Sequence, residues 1–328
     1  MKRTRFSPRP NAHQPPYRAA RVKLGLASIL LLFLPLALAG APLSPHPGSA
    51  LVRTPAVSTP ANRASRYPWP TVTDGSDVVA SRFASPAGAT PVAMPPESFG
   101  NWLRQLPLLA PATAVHLFDG RPKARQDVHA AVVDLDVGTK DLQQCADAIM
   151  RLRAEYLYAR RLPIAFHPLP GRANVLAWSG GSRKALERYL IRVFAAAGSA
   201  SLQAELRPVG TRALEPGDVL VQGGYPGHAV LVLDVAADNR AGRRYLLLGQ
   251  SYMPAQQFHV LKNLADPTLS PWFDAGHLDE PSGLATPEWR PFHRADVRRF
   301  PPPRREAFAA RTGCETKPLV VLFPALCP

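Results

Sequence analysis

The sequence predicts an α+β domain in which two amphipathic helices precede an antiparallel sheet. Three observations predict it. Apolar stripes at helical spacing run through residues 141–159 and 182–197, three strand-like runs crowd between 218 and 248, and Gly- and Pro-containing links join those runs.

The elements follow in chain order. Residues 129–137 (HAAVVDLDV) place Val133, Leu135 and Val137 on one face and Asp134 and Asp136 on the other, as a half-buried strand does. A helix is predicted over 141–159. Asp141 and Gln144 have the spacing of a capping box, and Leu142, Cys145, Ala146, Ile149, Leu152 and Tyr156 form its apolar stripe. A second helix is predicted over 182–197, burying Leu186, Tyr189, Leu190, Val193, Phe194 and Ala197 and stopping at Gly198. Strands are predicted over 218–221, 229–235 and 245–248.

The globular domain is predicted over 97–300, about two hundred of the 328 residues. Residues 1–39 read as a signal peptide: a basic start, an apolar run over 24–38 and the small-residue cleavage pattern Ala37-Leu38-Ala39. The alternative is an uncleaved anchor over 24–41, whose 18 residues just reach the length of a membrane span. Residues 40–96 lack helical or strand periodicity and are rich in Pro, Ala and Ser, so a disordered linker is expected there. Residues 301–328 read as a disordered tail, against the rival that the apolar run Leu319 to Phe323 docks on the core. The chain is therefore expected to be exported, periplasmic or secreted, with membrane contact only through residues 24–41 if they stay uncleaved.

The charge argues against a nucleic-acid partner. Of the net +15, seven charges lie in 1–41 and four in 298–328, which leaves +4 for everything between. A nucleic-acid domain concentrates cations on its folded surface, and this one does not.

Three cysteines are present: Cys145 near the start of the first helix, and Cys314 and Cys327 in the tail. In an oxidising compartment the tail pair can close a short loop and leave Cys145 free. Two readings of Cys145 stand equal on position alone. It is a small core residue on the apolar stripe, or a thiol in a first helical turn, where unpaired backbone N–H groups and the helix dipole favour the thiolate.

The segment 214–236 (LEPGDVLVQGGYPGHAVLVLDVA) bears on the choice. It resembles the NlpC-type cell-wall cysteine peptidases, a papain-like group in which a Pro-Gly-Asp strand precedes a histidine heading the next strand. The resemblance implies a papain-like fold, with the helix carrying Cys145 packed on a sheet carrying His228. It also implies the catalytic set Cys145, His228 and Gln250: nucleophile, base, and the group that orients the imidazole. Gln144 and Ala146 flank the cysteine where that family usually has Asp and Ser. Longer strings, NWLRQLPL, DLQQCADAIMRLRAEYLY, QSYMPAQQFHVLKN, SPWF and TPEW, resemble the bacterial family called domain of unknown function 4846 across residues 97–298. That family has no established activity, and the resemblance implies an envelope protein.

Other polar and aromatic groups have blander readings. Arg151, Arg153 and Glu155 are expected on a solvated or paired helix face rather than at a substrate carboxylate. Asp134 and Asp136 lack further ligands at metal-binding spacing, so neither a metal nor a cofactor is expected. His259 is a rival to His228 but fits the strand order less well. Trp178, Tyr225, Tyr252, Trp272 and Trp289 sit in or beside Gly- and Pro-rich stretches, where rings stack on sugar or peptide or simply pack in the core. Two function classes follow: a cysteine hydrolase of peptide or amide bonds in the cell wall, or a non-catalytic envelope module. The second would bind peptidoglycan or a protein partner through the same cleft.

Overall fold

The structure, a computed structural model, describes residues 77–169 and 174–303. The expected signal peptide, most of the expected linker and nearly all of the expected tail lie outside the described residues. Within them, no helix is long and apolar enough to cross a membrane.

The domain begins upstream of Glu97. Val79–Arg82 (α1) and Thr90–Pro91 (β1) open it, so the expected linker boundary at 96 is corrected to no later than Asp77. The reason is burial without periodicity: Val79 is fully buried, Trp272 Nε1 donates to Ala84 O at 2.9 Å, and β1 pairs in register with Ala236 and Ala237. Phe99–Arg104 (α2) follows, its N-terminus capped where Asn101 N–H donates to Ser98 Oγ at 3.2 Å.

His129–Val132 (β2) is shorter than the predicted strand. Beyond it Leu135 N–H donates to Val133 O at 2.7 Å, a tight turn that ends pairing while keeping Val133 and Leu135 buried. The first long helix is Cys145–Ala159 (α3), four residues later than predicted. Asp141 does not cap it, because its Oδ1 accepts from Ala255 N–H at 2.7 Å and from Gln144 Nε2 at 3.0 Å. Asp147 takes that place, its Oδ2 accepting the Gln144 N–H at 3.2 Å, so Cys145 becomes the first helical residue.

Ala165–Phe166 (β3) and Leu176–Ala177 (β4) form a small ribbon. Arg183–Ala196 (α4) starts where predicted, its cap Ser182 Oγ accepting from Ala185 N–H at 3.4 Å. Ser199–Glu205 (α5) and Arg207–Pro208 (β5) lead into the main sheet strands. These are Asp218–Gln222 (β6), His228–Asp238 (β7), Arg243–Gln250 (β8), His259–Leu261 (β9), Trp272–Asp274 (β10) and Val297–Arg299 (β11).

The sheet order is β2-β9-β8-β7-β6-β11-β5, with β1 also pairing β7 and β10 also pairing β8. Every strand pairing of this sheet among the described residues is antiparallel, as the close run spacing predicted. Strand alternation divides the core in two. Ala229, Leu231 and Leu233 face the helices in one cluster with Leu103, Ile149 and Leu186, while Val230, Val232 and Val235 face a second cluster with Leu248, Leu278 and Phe292. An irregularity between Val232 and Asp234 resets the alternation, which is how Val232 and Val235 share a face. The molecule is therefore α+β, with helices on one side of the sheet and irregular chain on the other.

Candidate functional site

Cys145 sits at the first position of α3 and belongs to the helix-side core. Its Sγ donates to Gly227 O at 4.0 Å, and the Ala229 N–H points at the sulfur from the other side of His228. Burial pushes the thiol up to about 11, outweighing that N–H, and the nearby Asp147 carboxylate adds to the rise. Asp147 is itself buried, its carboxyl pushed up to about 8, and its Oδ1 has no hydrogen-bond partner. The N–H groups of Cys145 and Ala146 at the helix N-terminus lower the thiol pKa, but desolvation outweighs them.

His228 and Gln250 are both fully buried and meet across β7 and β8, with Nε2 and Oε1 2.8 Å apart. The direction of this bond is fixed by the next one. Gln250 Nε2 donates to Glu288 Oε2 at 3.3 Å, so its Oε1 faces the imidazole and His228 Nε2 carries the proton. Nδ1 is then a bare lone pair with no partner among the described residues. Burial holds the imidazole down at about 4, so it is neutral at pH 7. Its ring packs at 4.9 Å from Trp289, 5.1 Å from Tyr252 and 6.3 Å from Phe292.

Two further members of this network carried no sequence signal. Glu288 forms a buried ion pair with Lys123, and its own carbonyl accepts from Tyr252 OH at 2.8 Å. Glu288 has φ +69°, a strained backbone for a non-glycine residue, and such strain clusters at ligand and active sites. Lys123 and Glu288 are 165 residues apart in sequence, which leaves no local pattern to read.

The structure thus joins His228 to Gln250 but forms no hydrogen bond between His228 and Cys145. The thiol packs with the helix-side cluster, and the imidazole packs against Trp289 and Phe292 in the opposite one. His259 is buried on β9, its Nδ1 donating to Gln257 O at 2.9 Å and its pKa held down at about 3 by burial. It is 6.1 Å from the His129 ring and takes no part in the His228 pair.

The remaining candidates resolve individually. Arg151 donates to Glu155 Oε1 at 2.5 Å, and Glu155 also pairs with Arg183, so this is a paired face, but a buried one rather than a solvated one. Arg153 is buried 5.0 to 5.3 Å from the rings of Phe99, Tyr156 and Phe300. Asp136 Oδ1 accepts from Gly138 N–H at 3.1 Å. No group of three His, Cys, Asp or Glu side chains among the described residues is placed to hold a metal ion. Trp272 is core and Trp178 packs at a tilt against Tyr189 at 5.5 Å, whereas Tyr225 is fully exposed and Tyr252 and Trp289 line His228. Two cavities open elsewhere: one of about 570 Å³ beside the β7–β8 turn, and one of about 230 Å³ between the 136–143 loop and α4.

These features define a class: an α+β domain with an antiparallel sheet, a buried cysteine on its helical side and a buried histidine–glutamine pair on the other. The chain belongs to the family described as domain of unknown function (4846), whose model matches residues 79–185 and 176–299. No curated protein and no solved structure matches it.

Proposed function

We propose that this chain is an exported envelope protein whose domain is a non-catalytic binding module. One observation carries the reading: the Cys145 thiol is buried, raised to about 11 and bonded to Gly227 O, while His228 gives its Nε2 proton to Gln250 and packs against Trp289 and Phe292. A base must reach the proton it removes, and no hydrogen bond joins His228 Nδ1 to the Cys145 thiol. Binding falls to the loop end of β6 to β8, where Tyr225 is fully exposed and Tyr252 and Trp289 are half-buried beside His228. Exposed rings on short loops suit stacking on the sugar or peptide of peptidoglycan.

A papain-like cysteine hydrolase is the second reading, and a specific observation favours it: Cys145 begins a helix, and the His228–Gln250 pair has the 2.8 Å contact an orienting residue requires. Alkylation by iodoacetamide at pH 7 separates the two, in a Cys314→Ser, Cys327→Ser background. A thiol of pKa about 11 is ionised roughly 300-fold less than one at about 8.5, so Cys145 is expected to label at least 100-fold slower than in the unfolded chain. Labelling as fast as free cysteine would favour the hydrolase. For the binding surface, Tyr225→Ala is expected to reduce co-sedimentation with purified peptidoglycan at least fivefold without changing the melting temperature; unchanged sedimentation would count against this surface.

A further inference from the structure

A second surface lies on the helical side, away from the loop end discussed above. The cavity of about 230 Å³ has walls of Leu142, Leu190, Ile191 and Phe194, with Gln143 and Arg151 at its buried end. It is smaller than the roughly 300–1,000 Å³ usual for a small-molecule site, and suits a single anchoring side chain. Charges at its end are already matched: Arg151 donates to Glu155 Oε1 and to Gln143 Oε1 and lies 3.6 Å from Asp136 Oδ2. Lys140 and Glu187 add one charge of each sign to the lining, so the four apolar walls favour an uncharged, apolar group. Ile191 stands at the mouth, 41% exposed.

Beside this cavity α4 carries a row of cations. Lys184, Arg188 and Arg192 follow one another at four-residue spacing, so they lie along one line of the helix, and all three are exposed. Among the described residues no carboxylate pairs with them. Glu187, the acid on the neighbouring line, lies 3.5 Å from Arg183. Helix spacing places Arg188 beside Ile191, three residues on, which lines the cavity.

From this juxtaposition we infer that α4 and the 136–143 loop form a docking surface for an acidic protein segment that seats one apolar side chain in the cavity. Charge complementarity selects the acid, and the apolar walls of the cavity select the side chain. A membrane surface fits less well, because a membrane-lying helix turns a broad apolar face outward and α4 exposes only Ile191 among its large apolar residues.

The test uses the full chain and a fluorescein-labelled synthetic peptide of twelve residues, rich in Glu with one central Phe, read by fluorescence anisotropy at low salt. Binding is expected to weaken at least tenfold when Lys184, Arg188 and Arg192 are all changed to Glu. The same loss is expected for Ile191→Asp, which guards against misfolding of the triple variant, and for a peptide with Ala in place of Phe. No binding, or equal binding of the Phe and Ala peptides, would overturn the proposal. So would capture of phosphatidylglycerol vesicles that the peptide cannot displace, which would assign the ridge to a membrane. Peptide binding that appears only after removal of residues 304–328 would identify the chain's own tail as the occupant instead. Cys145 and His228 take no part in this test, so its failure leaves the reading of the other end intact.

Discussion

Asp147 and His228 are buried ionisable groups whose effects on stability run in opposite directions with pH. Burial raises the Asp147 carboxyl from 3.8 to about 8, so the folded state keeps a proton that the unfolded chain releases. Its contribution is fully present below pH 4 and is lost as pH rises through 8. Asp147→Asn is expected to melt several degrees higher than wild type at pH 8 and at the same temperature at pH 4; melting curves at the two pH values check this. The His228 imidazole is lowered from 6.5 to about 4, so its contribution is present above pH 6.5 and lost as pH falls through 4. That shift corresponds to about 3 kcal/mol. His259 titrates in the same sense, so His228→Gln is expected to flatten, not abolish, the loss of stability between pH 6.5 and 4, measured by urea unfolding across that range. At this scale the sequence named Cys145, His228 and Gln250 but could not name their environments. A pKa follows from burial and neighbours, and the neighbours of His228 come from chain segments up to 64 residues away in sequence.

Among the elements, α2 and β7 are tied by one buried ion pair. Arg104 Nε donates to Asp234 Oδ1 at 2.8 Å and Arg104 Nη2 donates to Val92 O at 2.8 Å. Asp234 lies at the irregularity in β7, which turns its carboxylate to the arginine in place of a regular alternating position. Removing one partner strands the other charge in the interior. Arg104→Met is expected to lose about 3–5 kcal/mol by chemical denaturation, and adding Asp234→Leu is expected to recover part of it. The helices 145–159 and 183–196 and the strands around 218–250 were legible because each carries its own periodicity and caps. The short strands β1, β5, β10 and β11, of two or three residues, were not, because they hold too few positions to show a period and exist only through their partners.

For the whole molecule the clearest consequence is the domain boundary. A chain beginning at Glu97 would lose Val79, β1, the Ala84 carbonyl that accepts from Trp272 and the Val92 carbonyl that accepts from Arg104. It is expected to melt at least 10 °C below a chain beginning at Asp77, compared by calorimetry. Export is a separate expectation, tested by N-terminal sequencing of protein recovered from cells: a start near Gly40 supports it, and an intact Met1 in the membrane fraction indicates an anchor. By itself the sequence determined the α+β class, the two long helices, the central antiparallel strands and the family, since each rests on local pattern or extended motif. Only the tertiary structure decided that Cys145 joins the helix-side core while His228 packs against Trp289 and Phe292, that Lys123 and Glu288 complete the histidine network, and that residues 77–96 belong to the domain. The order of residues along a chain does not say which face of a strand a helix will cover. A single residue of register sends a side chain to the other side of the sheet, and packing, not sequence order, sets that register.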